Sequence, residues 1–150
     1  RPASQVVCII GDGSFLMTMQ ELATVEKHSL PIKIFVIDND GHSMIKQTQD
    51  QWFESQYFAS SHEGGLPKVD FEAIGKAFGL RTTTISNSSE VDHVLDSVFL
   101  QGEPTLCVVK ISAKHRVVPQ VRFGRPNEDQ DPQLPRAELD QNMLIPGVER

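Results

Sequence analysis

Two apolar runs, each closing on a turn of acid and glycine, constrain the fold more than any other feature. Residues 6–10 read Val-Val-Cys-Ile-Ile and end at Gly11-Asp12-Gly13-Ser14. Residues 32–37 form a second buried-type strand, with its unbroken apolar run at 34–37, ending at Asp38-Asn39-Asp40-Gly41. Runs that do not alternate with polar residues suit strands covered on both faces, as in a parallel sheet. Between them, residues 14–28 carry Phe15, Met19, Leu22 and Ala23 at steps of three and four, with Glu26 and Lys27 free to face water. That spacing predicts an amphipathic helix ending before Pro31.

The same alternation continues. A short helix is predicted over residues 44–51, followed by an irregular stretch bearing Trp52, Phe53, Tyr57 and Phe58 and a loop at 63–67. Asp70 is a candidate N-cap for a helix carrying Phe71, Ile74 and Phe78, with Gly79 as its stop. Residues 82–85 read as a strand. Ser89, with Asp92 three residues on, suggests a capping box opening a helix through Val91, Val94, Leu95, Val98 and Phe99. Residues 105–111 read as the last strong strand. Strands alternating with helices predict an α/β fold: a three-layer, doubly wound, mainly parallel sheet. From His115 the character changes, and five of the nine prolines fall there. The expected division is a domain over 1–114 and an extended Pro-rich arm over 115–150, wrapping a neighbour, with a helical turn near 137–143. The chain starts at Arg1 and enters a buried-type strand within a few residues, which predicts a piece cut from a longer polypeptide.

Charge and hydropathy narrow the partners. The chain has 150 residues and a formal net charge of −6, which argues against nucleic acid or an anionic membrane as the main partner. No apolar run approaches the roughly 20 residues of a spanning helix. With no secretory leader pattern and two cysteines, Cys8 and Cys107, each inside an apolar run, a reduced cytoplasmic protein is expected.

The chemistry centres on the first turn. Ligands of open α/β sheets bind at the carboxyl ends of strands. A glycine-flanked turn admits a ligand close to the backbone, and a following helix offers free N–H groups to a phosphate. Asp12 would repel that phosphate unless a divalent cation lay between them. Asn39, at the next strand end, could then complete an oxygen donor set suited to Mg²⁺. Two other readings stand beside this one. Gly11-x-Gly13 begins a dinucleotide fingerprint, with Asp38 as the ribose-binding acid, although Leu16 stands where the third glycine belongs. The turn could also be purely structural. Of the histidines, His28, His93 and His115 are expected on the surface, and His62 in a solvated loop. His42, in the second turn, is the one placed to touch a ligand. Trp52, Phe53, Tyr57 and Phe58 fit packing or a substrate channel. Asp50 and Glu54 are expected to be solvated, and Gln47 and Gln49 could reach a substrate.

Gly11-Asp12-Gly13, then 25 residues, then Asn39, resembles the thiamine diphosphate motif. The longer text GDGSFLMTMQELATVEKHSLPIKIFVIDNDGHSMIKQTQDQWF resembles acetolactate synthase-like large subunits of the thiamine diphosphate-dependent enzyme family. The resemblance covers residues 4–111. It implies the C-terminal diphosphate-binding domain of a decarboxylase or carboligase, a lyase or transferase acting on a 2-keto acid. It further implies thiamine diphosphate and Mg²⁺ as cofactors, with Asp12, Asn39 and the Gly41 carbonyl as metal ligands. Gly11, Gly13 and Ser14 would cradle the diphosphate, Gly13 and Ser14 through their N–H groups. His42, Ser43, Met44 and Ile45 would line the cofactor and substrate end. No catalytic residue is expected in this chain, because the activating glutamate would come from the pyrimidine-binding domain of a partner subunit in a homodimer or homotetramer. No residue points to FAD. Thr48 stands where acetolactate synthases usually carry tryptophan, and Asp38 replaces the first Asn of the usual pair. The substrates therefore stay open, with another thiamine diphosphate-dependent lyase or a sugar-directed carboligase as the alternative.

Overall fold

A computed structural model describes residues 4–121 and 123–148. They divide into two compact units, one up to His115 and one from Arg116 onward. In the first, β1 (Val6–Gly11), β2 (Ile32–Asp38), β3 (Arg81–Ile85) and β4 (Thr105–Lys110) form one sheet in the order β1-β2-β4-β3. Every pairing is parallel, and Gly11 lies opposite Ile37. The helices are α1 (Asp12–Leu16), α2 (Leu22–Lys27), α3 (Ser43–Trp52), α4 (Phe71–Ala77) and α5 (Val91–Phe99).

Side chains alternate across the sheet and build two cores. Ile34, Val36, Leu106 and Val108 face Phe15, Leu22, Val25 and Phe71 from α1, α2 and α4. Phe35 and Cys107 face the other way, against Val94 and Val98 of α5. This period of two follows from the pleat, and layers on both faces make the sheet doubly wound.

Several expectations are corrected. The first strand is not covered on both faces. It is an edge strand, and Val7 and Ile9 are 47% and 73% exposed, because the α5 core reaches Phe35 and stops there. Cys8 is accordingly half-buried, whereas Cys107 is fully enclosed. The helix predicted over 14–28 is three pieces: α1, starting at Asp12, a 3₁₀ turn at Met19–Glu21, and α2. At the break, Met17 and Thr18 donate to carbonyls three residues back, at 3.2 and 3.0 Å, and the Thr18 hydroxyl bonds back to Ser14 O. Back-bonding of this kind competes with the helical ladder. Ala23 is exposed, and Val25 takes the core place expected of it.

Asp70 caps α4, accepting from Ala73 N at 2.9 Å, and Gly79 closes it at φ +80°. Ser89 does not cap α5: a 3₁₀ turn at Ser88–Glu90 leads into the helix and is capped by Asn87, whose Oδ1 accepts from Ser89 N, while Glu90 accepts from Ser86 N and Asn87 Nδ2. Lys33, inside the apolar run of β2, is fully buried. Its Nζ donates to the carbonyls of Gln101 and Glu103, and burial followed by the nearby Arg81 lowers its pKa. In the second unit, β5 (Gln120–Val121) pairs antiparallel with β6 (Gln130–Asp131), and α6 spans Arg136–Asn142. Arg136 pairs with buried Asp129 at 2.9 Å.

The central strand generates two predictions. Leu106→Ala, at a fully buried position, should cost about 2–5 kcal/mol in denaturant unfolding. Burial pushes the Cys107 thiol up to about 11, so at pH 8 a thiol reagent should leave Cys107 untouched until the protein unfolds.

Candidate functional site

The first and second turns meet at the carboxyl ends of β1 and β2. Parallel register puts Gly11 beside Ile37, so the residues that follow each strand emerge side by side. Asp12 is the joint. Its carboxylate is 6% exposed and accepts three backbone N–H groups: Gly13 at 2.7 Å, Asn39 at 3.2 Å and Gly41 at 3.1 Å. A buried carboxylate is tolerated when its lone pairs are satisfied in this way. Of roughly four lone-pair positions on a carboxylate, three are used, leaving about one for a further ligand.

The second turn takes costly backbone shapes. Asp40 sits at φ +61° and Gly41 at φ +125°. A Cβ on Gly41 would fall 2.5 Å from the Ser60 carbonyl, so only glycine fits. Neighbours pin the turn from several sides. His42 N donates to Ser60 O at 3.0 Å, and Lys46 Nζ donates to Asp40 O at 3.1 Å. His62 Nε2 lies 2.6 Å from Asp40 Oδ1 and its Nδ1 3.1 Å from Leu66 O. His62 is therefore not the solvated loop residue expected. Both its partners accept, so the doubly protonated ring satisfies both. The Leu66 carbonyl first, and the Asp40 carboxylate next, raise its pKa.

Two buried oxygens find no partner among the described residues: Asn39 Oδ1 and Ser43 Oγ. Both residues line a cavity of about 610 Å³. All ten residues singled out in the sequence line that cavity: Gly11, Asp12, Gly13, Ser14, Asn39, Gly41, His42, Ser43, Met44 and Ile45. Leu16 and Met17 join them and were missed, because their apolar spacing marks only a core face. A smaller cavity of about 100 Å³ lies against the other side of His42 and reaches His62 and Lys68. The His42 ring rests on Gly13, where a Cβ would come within 2.2 Å of its Nδ1.

Other placements differ from expectation. The Gly13 N–H, expected for a phosphate, is engaged by Asp12. The helix behind the turn has five residues, so it offers local N–H groups more than a long macrodipole. Asp50 is not simply solvated, since it accepts from the Tyr57 hydroxyl. Gln49 binds Phe58 O at 3.0 Å and accepts from Ser60 Oγ, so it braces the 53–69 loop. Trp52, Phe53 and Phe58 are exposed and do not line this cavity.

The donors suit a hard cation that shares its shell with phosphate and water. Among the described residues, no group of three or more His, Cys, Asp or Glu could by itself hold a metal. One carboxylate, one unpartnered amide oxygen and a turn carbonyl fit Mg²⁺ that takes its remaining ligands from a diphosphate. No helix among the described residues is long and apolar enough to cross a membrane.

Comparison with known proteins agrees with this geometry. Residues 1–109 match the thiamine pyrophosphate enzyme, C-terminal TPP binding domain family. The chain is 36% identical over 129 residues to the acetolactate synthase isozyme 2 large subunit of Escherichia coli (strain K12), covering 86% of this chain and 23% of that one. It is 32% identical over 129 residues to the isozyme 1 large subunit of the same organism, covering 86% and 22%. It is 33% identical over 127 residues to the acetolactate synthase large subunit of Pyropia yezoensis, covering 85% and 21%. The chain thus spans about a fifth of the length of these relatives.

The His62 contacts generate a pH prediction. A raised pKa means the charged ring stabilises the docked loop below its ordinary value of 6.5, and that contribution is lost as pH rises through the raised value. NMR titration should place the His62 midpoint above 6.5. Asp40→Asn should lower the midpoint but leave the part of the rise caused by Leu66 O.

Proposed function

The chain belongs to the thiamine pyrophosphate enzyme family as its C-terminal TPP-binding domain, and from that premise we propose that the paired strand ends hold the cofactor's diphosphate through Mg²⁺. The observation that carries this reading is Asn39 Oδ1, a buried acceptor with no partner beside the Asp12 carboxylate and at the edge of a large cavity. Asp12 and Asn39 side chains and the Gly41 carbonyl would hold the metal. Gly11, Gly13 and Ser14 would cradle the phosphates, with Gly13 contributing close approach while its N–H stays on Asp12. His42, Ser43, Met44 and Ile45 would line the cofactor and substrate end.

When bound, thiamine diphosphate supplies the carbon nucleophile and electron sink for cleaving a bond next to a carbonyl. This chain's residues would contribute anchoring: a cation site, backbone donors and apolar walls that fix the cofactor's position. The complete protein would act on a 2-keto acid and join the retained fragment to a second carbonyl compound. A pyrimidine-binding domain of a partner subunit would supply the activating glutamate, in a cytoplasmic homodimer or homotetramer. Residues 115–150 would form a separate arm of the domain. Thr48 supports a second reading of the acceptor. Its hydroxyl bonds back to Met44 O at 3.2 Å, leaving beside Met44 less bulk than tryptophan would fill. Another lyase reaction, or ligation to a sugar, then becomes the alternative.

Calorimetry of the full-length protein with thiamine diphosphate tests the proposal. Binding should require Mg²⁺. Asn39→Ala removes the side-chain oxygen but keeps the backbone N–H bonded to Asp12, and should weaken binding on the order of 10–100-fold while the far-UV spectrum stays unchanged. Mg²⁺-independent binding, or unaltered affinity in Asn39→Ala, overturns the reading.

A further inference from the structure

Lys46 carries a buried charge that no carboxylate among the described residues neutralises. It lies in the first turns of α3, and its side chain is only 5% exposed. Side chains near a helix start lean back toward the N-terminus. Lys46 does so, and Nζ reaches the Asp40 carbonyl at 3.1 Å, 3.5 Å from where a Cβ on Gly41 would lie. Among the described residues no carboxylate pairs with it. The Asp40 carboxylate is turned to His62 at 2.6 Å, and Asp12 uses both oxygens on backbone N–H groups. Asp38 lines the smaller cavities, not the 610 Å³ one. The ammonium is therefore buried, unpaired and at the positive end of a helix. Each condition is unfavourable for a cation.

Such a charge calls for an anion supplied from outside the fold. Resting on the proposed diphosphate site, we infer that Lys46 is a positioning residue that biases the turn toward a diphosphate and against a divalent cation arriving alone. Lys46 lines neither large nor small cavity, so it acts from behind the turn, through the low-dielectric protein rather than by contact. Its positive charge opposes the negative charges of Asp12 and of Asp38, which adjoins Asn39, while the Asp40 carboxylate is engaged by His62. Asn39 Oδ1 and the turn carbonyls add dipoles but no net charge. A bare Mg²⁺ then meets less attraction than these carboxylates alone would give it, while a diphosphate is drawn by the buried positive charge. Lys46 also takes one of the two lone pairs of the Asp40 carbonyl.

The electrostatic role predicts opposite effects on cation and anion, whereas a merely structural role moves both the same way. The test uses the full-length protein, with Mn²⁺ alone followed by electron paramagnetic resonance, and thiamine diphosphate with Mg²⁺ followed by calorimetry. Lys46→Met should tighten binding of Mn²⁺ alone and weaken thiamine diphosphate binding, each by roughly tenfold. Lys46→Arg, which keeps the charge, should behave as the wild type in both. Both affinities falling together in Lys46→Met, neither moving, or Lys46→Arg matching Lys46→Met overturns the inference. A wild-type protein that binds no thiamine diphosphate with Mg²⁺ overturns the cofactor reading itself, and this inference with it.

Discussion

The site depends on one carboxylate that is bonded to backbone from both strand ends. Asp12 opens α1, yet two of its three donors, Asn39 and Gly41, belong to the turn after β2. The bonds exist only while Gly11 stays opposite Ile37, since a slip by one residue would carry the second turn out of reach. Sheet register and site geometry are therefore one constraint. The carboxylate also spends most of its own hydrogen-bonding capacity on the protein. A cation there must share ligation with other oxygens, and Asn39 Oδ1 has no partner among the described residues at that place.

Holding Asp40 and Gly41 at positive φ requires compensation, and it comes from two separate stretches of chain. Ser60 and His62 brace the turn from the 53–69 loop, and Lys46 braces it from α3. The loop is organised in its own right. Ala59 N bonds to Gly64 O at 2.8 Å, Leu66 N to Ser61 O at 2.9 Å, and a Cβ on Gly64 would fall 1.6 Å from the Tyr57 carbonyl. Gln49 and Asp50 then tie it to α3. The polar residues of 47–66 thus bond both to backbone and to one another, which explains why a segment poor in buried apolar side chains holds a defined path.

Local chemistry in the chain was readable where one short pattern decides the outcome. The Asp70 cap, the Gly79 stop and the strands at β2 and β4 are of this kind. The pairing of Asp12 with Asn39 was readable because parallel neighbours must place successive strand ends together. What escaped depends on partners distant in the sequence. Apolar content in β1 says that its residues favour burial, but coverage of Val7 and Ile9 depends on where α5 lies. The broken helix after Asp12 keeps Phe15 and Leu22 on one core, so its apolar spacing looks continuous across the break. Ser89 fell inside a 3₁₀ turn capped by Asn87, because Glu90 can reach back from the third position of that turn, a competition between two plausible boxes. His62 and Lys46 have no periodic signature, and their roles appear only when the turn is folded against them.

The charge distribution around the turn also alters what the overall acidity means. A net charge of −6 is spread over the whole chain, and much of it faces water, where ions screen it within roughly 8–10 Å. At the strand ends the balance is local. Asp12 is buried and bonded, Asp40 is paired with His62, and Lys46 sits behind the turn without a counter-charge among the described residues. Buried charges are screened far less than exposed ones, so these few groups outweigh the distant acids in deciding which ligand enters. An acidic protein can therefore carry a site poised for an anion, provided its carboxylates are committed to backbone or histidine and its unpaired buried charge is positive.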